Sequence, residues 1–249
     1  MVPVFLTADW QRLVMLNFVT DPATLAPYVP RGTELDAWEG ATFVSLVGFR
    51  FRDTRVKGIA VPFHRDFEEI NLRFYVRRAS PEGFRRGVVF VREIVPRSAI
   101  AALAKWRYNE NYVACPMRSI VSDPANGGAG RFEYGWKSGG QWRSVGADVL
   151  GAPSLPAPGS QEEFITEHYW GYAAQRDGGT VEYRVEHPRW SVWTATGCML
   201  EGDMGGFYGP AFAGALLAKP VSAFVADGSA VTVRSPQRLE RRTPGAEDS

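Results

Sequence analysis

Hydrophobic and polar residues alternate with a period of two over much of the chain, and the pattern is clearest at residues 66–78, DFEEINLRFYVRR. On an extended strand Ile70, Leu72, Phe74 and Val76 share one face, while Phe67, Glu69, Asn71, Arg73 and Tyr75 share the other. The first face reads as core. The second is either a solvated outer face or the lining of a polar cavity, and the aromatics bracketing the polar trio suit the cavity better. Runs rich in Val, Phe, Leu and Tyr predict further strands at residues 12–19, 41–51, 87–95, 112–121, 131–137, 141–149, 167–174, 180–185 and 190–195. Ser138-Gly139-Gly140 and the RDGG run at 176–179 predict tight hairpins. Many strands with few helices predict a mainly β chain folded as a closed or nearly closed antiparallel barrel, since closure removes exposed edges.

Three short helices interrupt this pattern. Asp21 before Pro22 is an N-cap with proline at the first helical position, opening a turn toward Tyr28. Ser98 caps AIAALAKWRY, and Ser160 with Glu163 forms a capping box ahead of Phe164 and Ile165. The loop at 151–160, GAPSLPAPGS, is read as a connection across the barrel, because the strand pattern resumes unchanged beyond it. Residues 1–240 are therefore expected to form one domain, and the polar RRTPGAEDS tail, 241–249, to be disordered.

Composition narrows the partners. The 249 residues are 45% apolar and 22% charged, with a net charge of +1 and no separate basic block. Nucleic acid and membrane are not expected as partners; a small molecule is. Eight tryptophans leave aromatics to spare for a homo-oligomer interface. Only four lysines, Lys57, Lys105, Lys137 and Lys219, stand against 24 arginines, so an amine nucleophile has few candidates. Cys115 and Cys198 form no disulfide framework and read as buried thiols in a reducing compartment. With no basic lead at the N-terminus and no apolar run of about 20 residues, a cytoplasmic location is expected.

No glycine-rich phosphate loop, Gly-x-Ser-x-Gly elbow or His-Glu-x-x-His pair occurs. The histidines, His64, His168 and His187, are isolated, so a metal site would have to be assembled from afar, for example from His187, Glu69 and His168. Neither a metal nor another cofactor is expected. Within a cavity, Arg73 is a natural fork for a substrate carboxylate. A desolvated Glu69 could work as general acid or base, with Asn71 and Tyr75 positioning the substrate. His187 is held extended by Pro188, either reaching a barrel mouth or packing its ring on Trp190. Asn111 and Tyr112, at the junction after the Ser98 helix, either face the pocket or close the helix.

The run from Phe67 to Val76, the stretch from Gly159 to Tyr169 and the His187-Pro-Arg-Trp190 segment resemble the YqjF-like proteins, a bacterial family of unknown function (domain of unknown function family 2071). Trp10, Asp21-Pro22, Leu25, Pro30, Gly32, Leu35 and residues 40–44 extend the resemblance over most of residues 10–235. The resemblance implies the fold of acetoacetate decarboxylase, a double-layered β-barrel whose central cavity would be faced by Phe67 to Tyr75. It also implies that the decarboxylase glutamate falls at Glu69. The positions of the Schiff-base lysine motif fall near Asn111 and Tyr112, neither an amine, which speaks against imine chemistry unless Lys105 turns inward.

Three functions follow from this reading. The first is a lysine-independent lyase or hydro-lyase acting on a small carboxylate or keto compound, with Glu69 and Arg73 as its catalytic groups. The second is a non-catalytic binder, such as a sensor or carrier, using the same cavity. The third is a filled barrel in which Glu69 and Arg73 are a buried ion pair.

Overall fold

The computed structural model describes residues 2–60, 65–96, 111–125 and 127–239. His64, Lys105 and the Ser98 helix lie outside these, as does the tail. Fifteen strands join one hydrogen-bonded network. In chain order they are β1 (Val4–Val19), β2 (Glu34–Leu35), β3 (Phe43–Val56), β4 (Ile59–Ala60), β5 (Phe67–Ser80), β6 (Gly83–Val95), β7 (Tyr112–Ala114), β8 (Met117–Ser122), β9 (Ala129–Ser138), β10 (Gln141–Leu150), β11 (Trp170–Ala174), β12 (Thr180–Glu186), β13 (Val192–Glu201), β14 (Ser222–Arg234) and β15 (Gln237–Arg238). The helices are α1 (Pro22–Leu25), followed by a 3-10 turn (Ala26–Tyr28), then α2 (Gln161–Thr166), α3 (Met204–Tyr208) and α4 (Pro210–Leu217).

Seven strands close into a ring in the order β12-β11-β6-β5-β3-β1-β14, because β14 pairs with β12 at Val233 and Thr232. All neighbours are antiparallel except β6, which pairs in parallel with β7 and β11. The first half of β14 also pairs with β13, from which β10, β9 and β8 continue as a second layer over the outside of the ring. The fold is thus mainly β, a double-layered closed sheet.

The alternation along β5 has the physical cause anticipated from sequence. Ile70, Leu72, Phe74 and Val76 join Val14, Leu16, Val44 and Leu46 of the ring against Phe132, Tyr134 and Trp136 of β9, forming the core between the layers. Layer spacing is set locally by Gly48 on β3: a Cβ there would stand 2.8 Å from the Tyr134 ring. The other face of β5 looks into the ring, where Phe49, Phe51, Phe67, Tyr75 and Trp190 form a second apolar cluster. The Gly139-Gly140 pair turns the β9–β10 hairpin, both residues at positive φ that glycine adopts without steric cost.

Several expectations need correction. The strand expected over 112–121 is two, parted at Pro116, which has no N–H for a ladder: β7 serves the ring and β8 the second layer. β14, α3 and α4 have no counterpart in the sequence reading. Cys198 is exposed on β13 rather than buried, while Cys115 is buried; both are free thiols. No helix among the described residues is long and apolar enough to cross a membrane.

Candidate functional site

The ring encloses a cavity lined by side chains from all seven ring strands and from α2. Phe49, Phe51, Trp170 and Trp190 give it apolar walls, and Glu69, Asn71, Arg73, Glu93, His168 and His187 give it polar ones. Glu69, Asn71 and Arg73 are buried at 3%, 2% and 8% exposure, so this face of β5 is not a solvated one.

Arg73 is the unusual member. Its guanidinium makes no ion pair among the described residues: one nitrogen donates to the Met15 sulfur at 3.8 Å, its carbon lies 5.7 Å from the Tyr75 ring centre, and Nε has no partner. Burying a charge without a counter-charge is costly, and the filled-barrel reading, which needs a Glu69–Arg73 pair, finds no such pair. Asn71 instead donates from Nδ2 to Glu69 Oε1 at 3.0 Å, and its Oδ1 has no partner among the described residues.

Tyr75 does not line the cavity. Its hydroxyl meets Ser45 Oγ at 2.6 Å, Ser45 donates onward to Asn17 Oδ1 at 2.5 Å, and Asn17 donates to Ser222 at 2.9 Å, a buried chain linking β5, β3, β1 and the start of β14. Since Ser45 spends its one proton on Asn17, Tyr75 donates to Ser45. Asn111 is exposed, donating to Val91 O at 3.3 Å, and Tyr112 stands opposite Glu93 in the β6–β7 ladder; neither lines the cavity. His187 does line it, and also stacks on Trp190 at 4.0 Å with its Nδ1 2.8 Å from Pro188 O, so both roles considered for it coexist. Burial, helped by the Arg73 charge, pushes its pKa down to about 4.

His168 is the lumen residue that local sequence reasoning passed over, weighing it only as a distant metal ligand. The capping box delivers it: Ser160 Oγ accepts from Glu163 N at 3.2 Å, the Glu163 carboxylate accepts from Gly159 N at 2.7 Å, and α2 ends at Glu167 so that His168 turns inward. Its ring packs 4.6 Å from Tyr75 and 5.1 Å from Phe164. Nε2 lies 3.2 Å from Asp36 Oδ2, which also accepts from Arg86 Nε at 2.6 Å. Burial would raise the Asp36 carboxyl, but the His168 and Arg86 hydrogen bonds outweigh it and hold it below the usual carboxylate range. Burial likewise pushes His168 down to about 4, with the Arg86 and Arg73 charges adding to it against the Asp36 hydrogen bond. At neutral pH the ring is uncharged. A carboxylate can only accept, so the proton sits on Nε2 and Nδ1, buried and unpartnered, keeps its lone pair.

Lys57, Lys137 and Lys219 are exposed and none lines the cavity. Among the described residues no cluster of three His, Cys, Asp or Glu side chains could hold a metal ion.

Solved structures share this fold. Acetoacetate decarboxylase from Legionella pneumophila superposes with a TM-score of 0.64 at 14% identity, over 96% of this chain and 89% of that one. The enduracididine biosynthesis enzyme MppR in complex with pyruvate gives 0.67 at 15%, over 98% and 93%. An acetoacetate decarboxylase-like enzyme from Sphingomonas wittichii RW1 gives 0.63 at 14%, over 96% and 94%. At these identities the likeness shows the fold alone. No curated protein matches the chain in sequence. The model of the family DUF2071, described as an uncharacterized conserved protein, matches residues 7–230, and the chain belongs to that family.

Proposed function

We propose that the ring cavity binds a small organic acid through Arg73 and that Glu69, four residues along the same face of β5, moves a proton in a lyase or hydro-lyase reaction that uses no lysine imine. The observation that carries this reading is the buried Arg73 guanidinium, which lines the cavity without an ion-pair partner among the described residues. A bound carboxylate would supply the missing counter-charge in a bidentate geometry that lysine cannot offer. The shared fold supports a ligand of this size, since one neighbour is a complex with pyruvate. The exposure of the three described lysines fits chemistry without an amine nucleophile. A small molecule as partner suits the net charge of +1, and a cytoplasmic location suits two free thiols.

The test is a thermal-stability screen against small carboxylic, keto and hydroxy acids, run on the wild type, Arg73→Met and Glu69→Gln. A ligand at 100 times its Kd adds about 2.7 kcal/mol, a rise in Tm of roughly 5–10 °C for a chain of this size. The expected result is a hit that Arg73→Met abolishes. Turnover of that hit, reduced roughly 10²-fold or more in kcat by Glu69→Gln with affinity kept, marks an enzyme. Binding without turnover marks a sensor or carrier. A panel with no hit defeats the carboxylate reading.

A further inference from the structure

Among the described residues, the cavity-lining side chains of Trp10, Arg73, Asn71 and His168 carry buried polar atoms without a hydrogen-bond partner, Nε1, Nε, Oδ1 and Nδ1 respectively, and the Glu69 and Glu93 carboxylates line the same cavity. Buried polar groups in native proteins are satisfied almost without exception, so such atoms gathered on one cavity describe what should fill it. The polarity of each is fixed. Indole and guanidinium nitrogens only donate. Asn71 is oriented by the Glu69 carboxylate, which takes its NH2 at 3.0 Å and turns its oxygen to the unpartnered side. His168 is oriented by Asp36, which takes the Nε2 proton and leaves Nδ1 as an acceptor. These atoms therefore give two donors, fixed by their chemistry, and two neutral acceptors, each set by the carboxylate behind it.

From this pattern we infer that the ligand is a short hydroxy acid: a carboxylate that accepts from Arg73 and Trp10, with a hydroxyl that donates to His168 Nδ1 or Asn71 Oδ1. The inference rests on the carboxylate-binding reading above and sharpens it. A 2-oxo acid presents only lone pairs, so its carbonyl would face the two acceptors without a proton between them, and a plain fatty acid would leave both bare. Each buried acceptor left unpaired costs binding, and a site built around a hydrogen bond discriminates strongly against an analogue lacking it. An amino acid is disfavoured for a different reason. Burying an ammonium costs far more hydration than burying a hydroxyl, and the two acceptors, an imidazole nitrogen and an amide oxygen, carry no charge to offset that cost.

The experiment is isothermal titration of the full chain with matched sets: D- and L-lactate, pyruvate, propionate and alanine, then the two 3-hydroxybutyrate enantiomers, acetoacetate and butyrate. One hydroxy-acid enantiomer should bind about tenfold or more tighter than its oxo, deoxy and amino counterparts. His168→Phe, which keeps the ring and the Asp36–Arg86 pair, should bring that ratio toward one, and Asn71→Leu provides a second variant should the first fail to fold. An oxo or amino acid that binds as tightly as the hydroxy acid overturns the inference while leaving the carboxylate site standing, as does a preference that survives both variants. Absence of binding by every acid, or binding untouched by Arg73→Met, removes the carboxylate reading and this inference with it.

Discussion

The two faces of β5 are both buried, yet they are built to opposite rules. Outward, Ile70, Leu72, Phe74 and Val76 meet the second layer in a wholly apolar contact. Inward, Glu69, Asn71 and Arg73 are as inaccessible as most core residues, but Asn71 and Arg73 keep polar atoms that no group among the described residues satisfies. One strand thus carries both a stabilising face and a face that costs stability, the signature of a site maintained for something other than folding. Burial alone does not separate the two; partner accounting does.

Substitution on the outward face should have the largest effect. Leu72→Ala should cost about 3 kcal/mol, lowering Tm by roughly 6–12 °C in thermal unfolding. Acid should come next, through the inward face. His168 has a folded pKa of about 4 against an ordinary 6.5, so between those values the unfolded chain binds a proton that the folded one refuses. Its contribution is complete above about pH 6.5 and is lost as pH falls toward 4, up to about 3 kcal/mol. A Tm–pH profile should show this decline, and His168→Phe should make it shallower; an unchanged slope would place the sensitivity elsewhere.

Gly48→Ala should cost about 1–3 kcal/mol, because the added methyl presses on the Tyr134 ring, whose hydroxyl is anchored at 2.8 Å on Arg12 O. Arg73→Met should have the smallest effect, within about 1 kcal/mol of wild type in denaturant titration or a slight gain, because it removes a charge that makes no ion pair among the described residues. A loss comparable to that of Leu72→Ala would mean Arg73 holds the ring together, and the contrast between the two faces would fail.

Much of this was legible in the sequence where the determinants are local. The alternation of β5, the Asp21 cap, which accepts from Ala23 N at 2.8 Å, and the Ser160 box each depend on residues within a few positions of one another. β14 escaped because Asp227-Gly228-Ser229 reads as turn chemistry, whereas Gly228 at φ +90° sits opposite Gln11 within a continuing strand. α3 and α4 escaped because their glycines, Gly205, Gly206, Gly209 and Gly214, together with Pro210, look like loop. His168 could be seen but not understood, since the carboxylate that orients it lies 132 positions away. Tyr75 was placed on the right face, yet its hydroxyl is committed to a chain of partners contributed by three other segments.

β14, which bonds to β1 along its length, to β13 at its start and to β12 near its end, bears on how the molecule is made. During synthesis β1 emerges about 200 residues before β14 and must wait with an open edge over that interval, while β12, the other strand that flanks the future seam, waits for about 35. The cavity has no complete wall until that late strand arrives. A ribosome-bound chain stopped before residue 222 should therefore be competent to build its β9–β10 hairpin but neither to close the ring nor to hold a ligand, so the binding site comes into being only after every other wall of the ring has been made.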